Sequence, residues 1–347
     1  MKKRLLVPAI VLVVLSVGLW GCTRAGKGPV TVENFKPVTL KFSVMNPDDY
    51  FSTDSVYRIK EAVEKETDGK IRIDVYPGGQ LGNYDTVIDE IMRGTIDMAF
   101  QSAIDKYDAR VSAHALPYLC TKYEDLPVVY GRDGFLLKEF EKVYAETGVT
   151  FLGVFTEGFQ GIGSTKEIRD PSMPEVNKSF VLRSPNIKMI ADVFRLMNFG
   201  VVTLPYSEVL SGMQTGVIDG WVGGTPMLNY QLFRDVIKKY YNYMSYVEAT
   251  HFIMNQRRFQ SLPEEFQEII RDAVMKECEL SFTLGEEMDK VGLRLLAEAG
   301  IEPVTFNEEE MRRIVAVTRT PVIESMRGIM GNEFTDGLLK FLNDNNL

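Results

Sequence analysis

Arg183-Ser184-Pro185-Asn186 places a permanently charged, planar side chain where a strand pattern hands over to a helix pattern. The ends of strands are where open α/β sheets put their ligands. A guanidinium fits a carboxylate with two parallel hydrogen bonds, and Pro185 rigidifies the turn that would aim it. A surface salt bridge is the competing use of a lone arginine. Groups suited to catalysis are scarce. His114 and His251 are the only histidines, and the chain has no HExxH, no GxSxG and no glycine-rich loop ending in Gly-Lys-Ser/Thr. Gly161-Ile162-Gly163 lacks the third glycine and the following helix pattern that a dinucleotide needs. The chemistry on offer is recognition of an anion. No catalytic residue, metal site or cofactor is expected.

The elements that must position Arg183 follow a repeated plan. Gly94-Thr95-Ile96-Asp97 and Gly216-Val217-Ile218-Asp219 each follow a helix-like segment carrying a methionine. Glycine supplies the left-handed residue that ends a helix, and Ile-Asp opens a strand. Alternation predicts strands over 39–45 and 71–76, helical spacing predicts 55–67 between them, and Asp68-Gly69 and Pro77-Gly78-Gly79 punctuate the series. A helix over 85–93, a strand over 96–100, helices over 126–130 and 135–146 and a strand over 150–155 complete an α/β lobe. The order recurs as a strand over 180–182, a helix over 187–197, a strand over 201–204 and a helix over 206–215. From Leu262 the pattern becomes amphipathic, with Phe266, Ile269, Ile270, Ala273 and Val274 on one stripe, and it continues to Ala299. At about 1.5 Å per residue this run exceeds roughly 50 Å, enough to lie across two lobes. Gly285 and Gly292 are its candidate bends.

The chain has 347 residues, 45% of them hydrophobic and 25% charged, which gives room for two cores. Lys2, Lys3 and Arg4 precede an apolar run, Leu5 to Leu19, that is short for a membrane span and reads as a secretory leader over 1–21. Leu19-Trp20-Gly21-Cys22 resembles a bacterial lipobox, in which cleavage exposes Cys22 for diacylation; a plain cleavable leader is the alternative. Residues 22–36 then read as a tether. Losing three positive charges with the leader takes the formal charge from −9 to −12. That surface argues against nucleic acid and requires locally placed cations to hold an anion. Cys120 and Cys278 show no CxxC spacing and are expected as two buried thiols, with a disulfide as the alternative.

Ile73-Asp74-Val75-Tyr76-Pro77-Gly78-Gly79-Gln80-Leu81-Gly82, the first Gly-x-Ile-Asp, Leu116-Pro117-Tyr118, and Leu204-Pro205-Tyr206-Ser207-Glu208-Val209 through Gln214-Thr215-Gly216-Val217-Ile218-Asp219-Gly220 occur in that order. Together they resemble the DctP-type solute-binding proteins of tripartite ATP-independent periplasmic (TRAP) transporters over about residues 39 to 296. The resemblance implies an α/β, two-lobed periplasmic binding protein of the Venus-flytrap kind, with a long helix spanning both lobes. Such a protein closes on a small organic acid and delivers it to membrane permease subunits. Lobe I is expected over 37–157 plus about 250–288, and lobe II over 158–249 plus about 289–347.

Carried over residue by residue, the resemblance gives Arg183 as the carboxylate-binding arginine, Asn186 as a contact to the same ligand and Tyr206 as the aromatic beside it. Two departures stand out. Gln160 occupies a position where a second basic residue is common, and Trp221-Val222-Gly223-Gly224 stands where many relatives have Gln-Glu-Asn-Pro. With Trp221 and Gly223 on the wall, the pocket is expected to be roomy and apolar and to suit a monocarboxylate with an apolar or aromatic body. Trp221 packed in the second lobe's core is the alternative. Asn83, Tyr84, Gln101 and Ser102, and more weakly Phe51 and Ser52, are candidates for the opposite wall or else ordinary loop polarity. An enzyme or a ligand-sensing lipoprotein on the same scaffold is the competing function.

Overall fold

Leu40, Phe42 and Val44 are fully buried along β1 (Val38–Val44), and Val56, Ile59 and Val63 turn one face of α1 (Thr53–Glu66) inward. In this computed structural model, which describes residues 31–104 and 106–347, β2 (Ile71–Tyr76), α2 (Tyr84–Arg93) and β3 (Met98–Ser102) follow. The leader and Cys22 lie outside the described residues. Two short helices, α3 (Leu126–Tyr130) and α4 (Phe135–Glu146), lead into β4 (Val149–Phe159), buried along its whole length. The second series is β5 (Ile162–Ser164), β6 (Val181–Ser184), α5 (Lys188–Leu196), β7 (Gly200–Thr203), α6 (Val209–Thr215), β8 (Gly220–Val222), α7 (Pro226–Phe233) and β9 (Lys239–Tyr241). The chain then runs through β10 (Val247–Asn255), α8 (Gln256–Gln260), α9 (Glu264–Glu298), β11 (Glu302–Val304), α10 (Glu308–Ser325), α11 (Arg327–Met330) and α12 (Asn332–Asp344).

Two sheets result, ordered β2-β1-β3-β10-β4 and β11-β9-β5-β8-β6-β7. The trio at one edge is parallel in each, β2-β1-β3 in the first and β7-β6-β8 in the second, with an antiparallel strand beside it, β10 or β5. The repeated tetrads sit at matching places. Gly94 (φ 85°) and Gly216 (φ 76°) end α2 and α6 in the left-handed conformation. Asp97 accepts the Lys41 backbone N–H at 2.9 Å and the Arg258 side chain at 2.8 Å; Asp219 accepts the Val181 N–H at 2.7 Å and Lys166 at 2.9 Å. Each aspartate thereby ties its own strand to the neighbouring parallel one.

The chain passes between lobes where β4 runs into β5 and where β9 runs into β10. At this crossing the Gln160 N–H donates to the Tyr246 carbonyl (2.9 Å) and the Ser245 N–H to the Gln160 carbonyl (3.1 Å). The expected long helix is present as α9, packing on β4 and α1 in one lobe and on α7 and β11 in the other. It runs without a break through Gly285 and Gly292. A Cβ at Gly285 would lie 2.9 Å from the Thr156 carbonyl oxygen, and one at Gly292 would lie 2.3 Å from the Met227 nitrogen. Both glycines permit close approach to neighbouring backbone. The C-terminal helices also divide differently from the expectation that placed 289–347 in lobe II. α10 packs on α5, whereas α11 lies against the 3-10 helix Ala109–Ala115, and α12 brings Phe334 and Phe341 onto Phe135 of α4. Cys120 and Cys278 are separate buried thiols.

Candidate functional site

β6 lies between β7 and β8, and Arg183 near its end is only 4% exposed. Its Nε donates to the Leu204 carbonyl at 2.9 Å. Among the described residues the guanidinium has no acidic partner, and no protein acceptor takes its two terminal nitrogens. Burial lowers its proton affinity, and the neighbouring Tyr246, Tyr84 and Tyr206 act against that. Arginine stays charged regardless. These tyrosines come from the lobe crossing, from the start of α2 in the first lobe and from the second lobe, so Arg183 faces both lobes.

Tyr206 is 43% exposed, and burial of its hydroxyl, reinforced by Glu248, pushes its pKa up to about 12. Its ring lies 5.8 Å from that of Trp221, which in turn lies 4.6 Å from Phe233. Trp221 itself is 2% exposed and donates its indole N–H to Asn229 at 3.0 Å. The expected apolar wall is therefore corrected: the indole belongs to the second lobe's core and supports Tyr206 from behind. Gly223 (φ 146°) does not widen the pocket either, because a Cβ there would lie 2.4 Å from Trp221. The indole fills the space that the small residues leave.

Gln160 is buried beside this group and donates through Nε2 to Glu248, leaving its Oε1 without a partner. Burial, reinforced by Glu157, pushes the Glu248 carboxyl up to about 8. Glu157 is also raised by burial, although Asn46 (2.8 Å) and Thr250 (2.9 Å) donate to its Oε1. The Tyr50 hydroxyl is buried near both glutamates. Asp289 on α9 accepts Tyr123 (2.6 Å) and the Phe159 N–H (2.8 Å), and burial pushes it up to about 8. None of these acids stands out in the sequence as a site residue. The signal for Glu157 and Glu248 was a glutamate inside a mostly buried strand, Val149–Phe159 or Val247–Asn255.

The remaining candidates are more dispersed. Asn186 is exposed beyond β6, and Tyr84 is half-buried with its carbonyl accepting Gln101 at 3.2 Å. Asn83 caps α2 by accepting the Thr86 N–H, and Ser52 accepts Asn46 at 2.8 Å. His114 and His251 stack edge to face at 5.3 Å inside the first lobe, with Tyr144 at 3.0 Å from His251 Nδ1. Burial pushes His114 down to about 4 and His251 well below the usual range. Neutral packing is their role. A separate depression of about 500 Å³, lined by Glu141, Gln256, Phe259, Gln267 and Arg271 among others, contains none of the residues around Arg183.

Two α/β lobes joined by crossing strands, with a buried arginine that has no acidic partner among the described residues, have the architecture of a two-lobed binding protein. Residues 42–327 match the profile of bacterial extracellular solute-binding protein family 7, DctP, and the chain belongs to that family, the solute receptors of TRAP transport. It is 23% identical over 306 residues to the C4-dicarboxylate-binding periplasmic protein DctP of Rhodobacter capsulatus, covering 86% of this chain and 89% of that one. It is 24% identical over 325 residues to a monocarboxylate 2-oxoacid-binding periplasmic protein of Nostoc sp., covering 90% and 85%. A TRAP periplasmic solute-binding protein from Ochrobactrum anthropi shares the fold with a TM-score of 0.80 at 20% identity, covering 90% of this chain and 97% of that one. No helix among the described residues is long and apolar enough to cross a membrane.

Proposed function

We propose that this receptor captures a small organic acid with Arg183 and hands it to the membrane subunits of a TRAP permease. The observation that carries the reading is the buried guanidinium whose terminal nitrogens have no protein acceptor among the described residues. A buried cation without a counter-ion is costly unless a ligand supplies one. Tyr206 and Tyr84 would flank the bound carboxylate from opposite lobes, Gln160 would lie at the crossing, and Asn186 would reach the ligand only on closure. The names of the relatives support the class, one a binder of C4-dicarboxylates and one of monocarboxylate 2-oxoacids. An apolar body on the ligand would rest on the face of Tyr206, with Trp221 and Gly223 stiffening that ring from below.

Arg183→Ala is expected to weaken carboxylate binding by about 2–5 kcal/mol, the usual cost of removing one partner from a buried charge pair. Calorimetry on the variant checks this, and unchanged affinity would remove Arg183 from the site. We also propose that Cys22 is the lipidated N-terminus of the mature chain. Mass spectrometry of protein from bacterial membranes should find a diacylglyceryl group on Cys22; an unmodified cysteine in a soluble protein would exclude the anchor.

A further inference from the structure

β4 enters the first sheet at Val149, and its opening residues line the depression of about 500 Å³ that lies between α4, α8 and the first turns of α9. All of these elements pack on the first lobe's sheet. Val149, Phe151 and Phe259 are buried and give the depression an apolar lining. Arg271, half-buried on α9, holds its guanidinium over the Phe259 ring at 4.8 Å and has no acidic partner among the described residues. A ring beneath a guanidinium covers one face and leaves the N–H edge free to bond in plane. A second polar group lines the same space. Thr150 is nine-tenths buried, and among the described residues its hydroxyl has no protein partner.

We propose that this depression is a second ligand site, independent of the cleft at Arg183, and that it takes a monoanionic carboxylic acid with an apolar body. Arg271 receives the carboxylate with its paired N–H groups, Thr150 supplies a hydroxyl for a further hydrogen bond, and the body covers Val149 and Phe151. One guanidinium balances one negative charge. Glu141, exposed on α4 and lining the same depression, sets its own charge against a dianion such as a dicarboxylate or a phosphate monoester. Hydration weakens Glu141 as a counter-ion for an amine, whereas the half-buried Arg271 is the stronger pole. From Thr150 to Phe159 the strand runs roughly 30 Å, so a small acid in this depression does not reach the lobe crossing beside Arg183. The site is built within one lobe, and its occupancy does not depend on lobe closure.

Arg183→Ala removes the cleft's cation and leaves this depression intact, so the test is run in that variant. Titration of the purified chain with phenylbutyrate, hexanoate and indoleacetate, followed by ligand-observed NMR, is expected to show saturable binding of at least one acid. The alcohol of the same carbon skeleton should bind about fivefold more weakly. Adding Arg271→Gln should weaken the acid by a similar factor and leave the alcohol unchanged. Ala145→Phe, which projects a ring from α4 into the depression and keeps Arg271, should exclude both. Thermal melts confirm that each variant is folded. Binding that neither Arg271→Gln nor Ala145→Phe affects, or an alcohol that matches its acid, overturns the proposal. Absence of binding by all three acids overturns it as well. Arg183 is missing throughout, so none of these outcomes decides its role in the cleft.

Discussion

At the scale of single residues, Gly223 and Trp221 compete for one volume. Alanine at 223 would place a methyl 2.4 Å from the indole in a backbone conformation that side chains rarely adopt. Gly223→Ala is expected to cost about 2–3 kcal/mol through overpacking and strain, read as a lowered midpoint in urea. A wild-type midpoint would show that the indole can move aside. Arg183 could be singled out in the sequence by its place at a strand-to-helix junction beside a rigid turn, and the structure finds it buried with no acidic partner among the described residues. Trp221 was misplaced because the same four-residue departure can widen a pocket or make room for a ring, and only packing distinguishes them. Glu157 and Glu248 escaped notice because periodicity sorts charge towards solvent, whereas here hydrogen bonds from Asn46, Thr250 and Gln160 hold it inside.

At the scale of elements, α9 depends on two glycines where helix propensity alone would favour alanine. At Gly292 the obstacle is the backbone of Met227, which cannot rotate away, so Gly292→Ala should separate α9 from α7 and cost about 1–3 kcal/mol. Gly328 in α11 has open space around it, and Gly328→Ala should be neutral or stabilise by up to about 1 kcal/mol. Melting curves of the two variants check the contrast, and equal shifts would remove the close-approach argument. Long helices and parallel-strand units were readable because their patterns span many residues. β5 and β9 were not, being three residues each and set by pairing with strands far along the chain. The exchange that brings β10 beside β3 has no local signal at all.

At the scale of the whole molecule, ligand bridging Arg183 and the first lobe should favour the closed form by its differential affinity for that form. Small-angle scattering is expected to show a smaller radius of gyration at saturating ligand; no change would remove lobe closure. The buried ionisable groups also shape stability against pH. Asp289 binds its proton more tightly folded than unfolded, so its contribution is full below the usual carboxylate pKa and is lost as pH rises through about 8. His114 runs the other way, with stability present above the usual histidine value and lost as pH falls through about 4. Asp289→Asn should therefore stabilise the fold more at pH 8 than at pH 5, by at most about 1.4 kcal/mol per pH unit, read as melting temperatures at the two values. Equal shifts at both values would mean that Asp289 is ionised when folded. The strand exchange at the crossing has a consequence for the chain as an object that can be cut. A fragment ending at Gly161 would hold β3 and β4 with a vacant slot between them, and the remainder would keep its own sheet whole but carry β10 with nothing to pair. Unpaired edges of that kind adhere to other strands. The two pieces should be insoluble apart and should regain a native fold when refolded together, each completing the other.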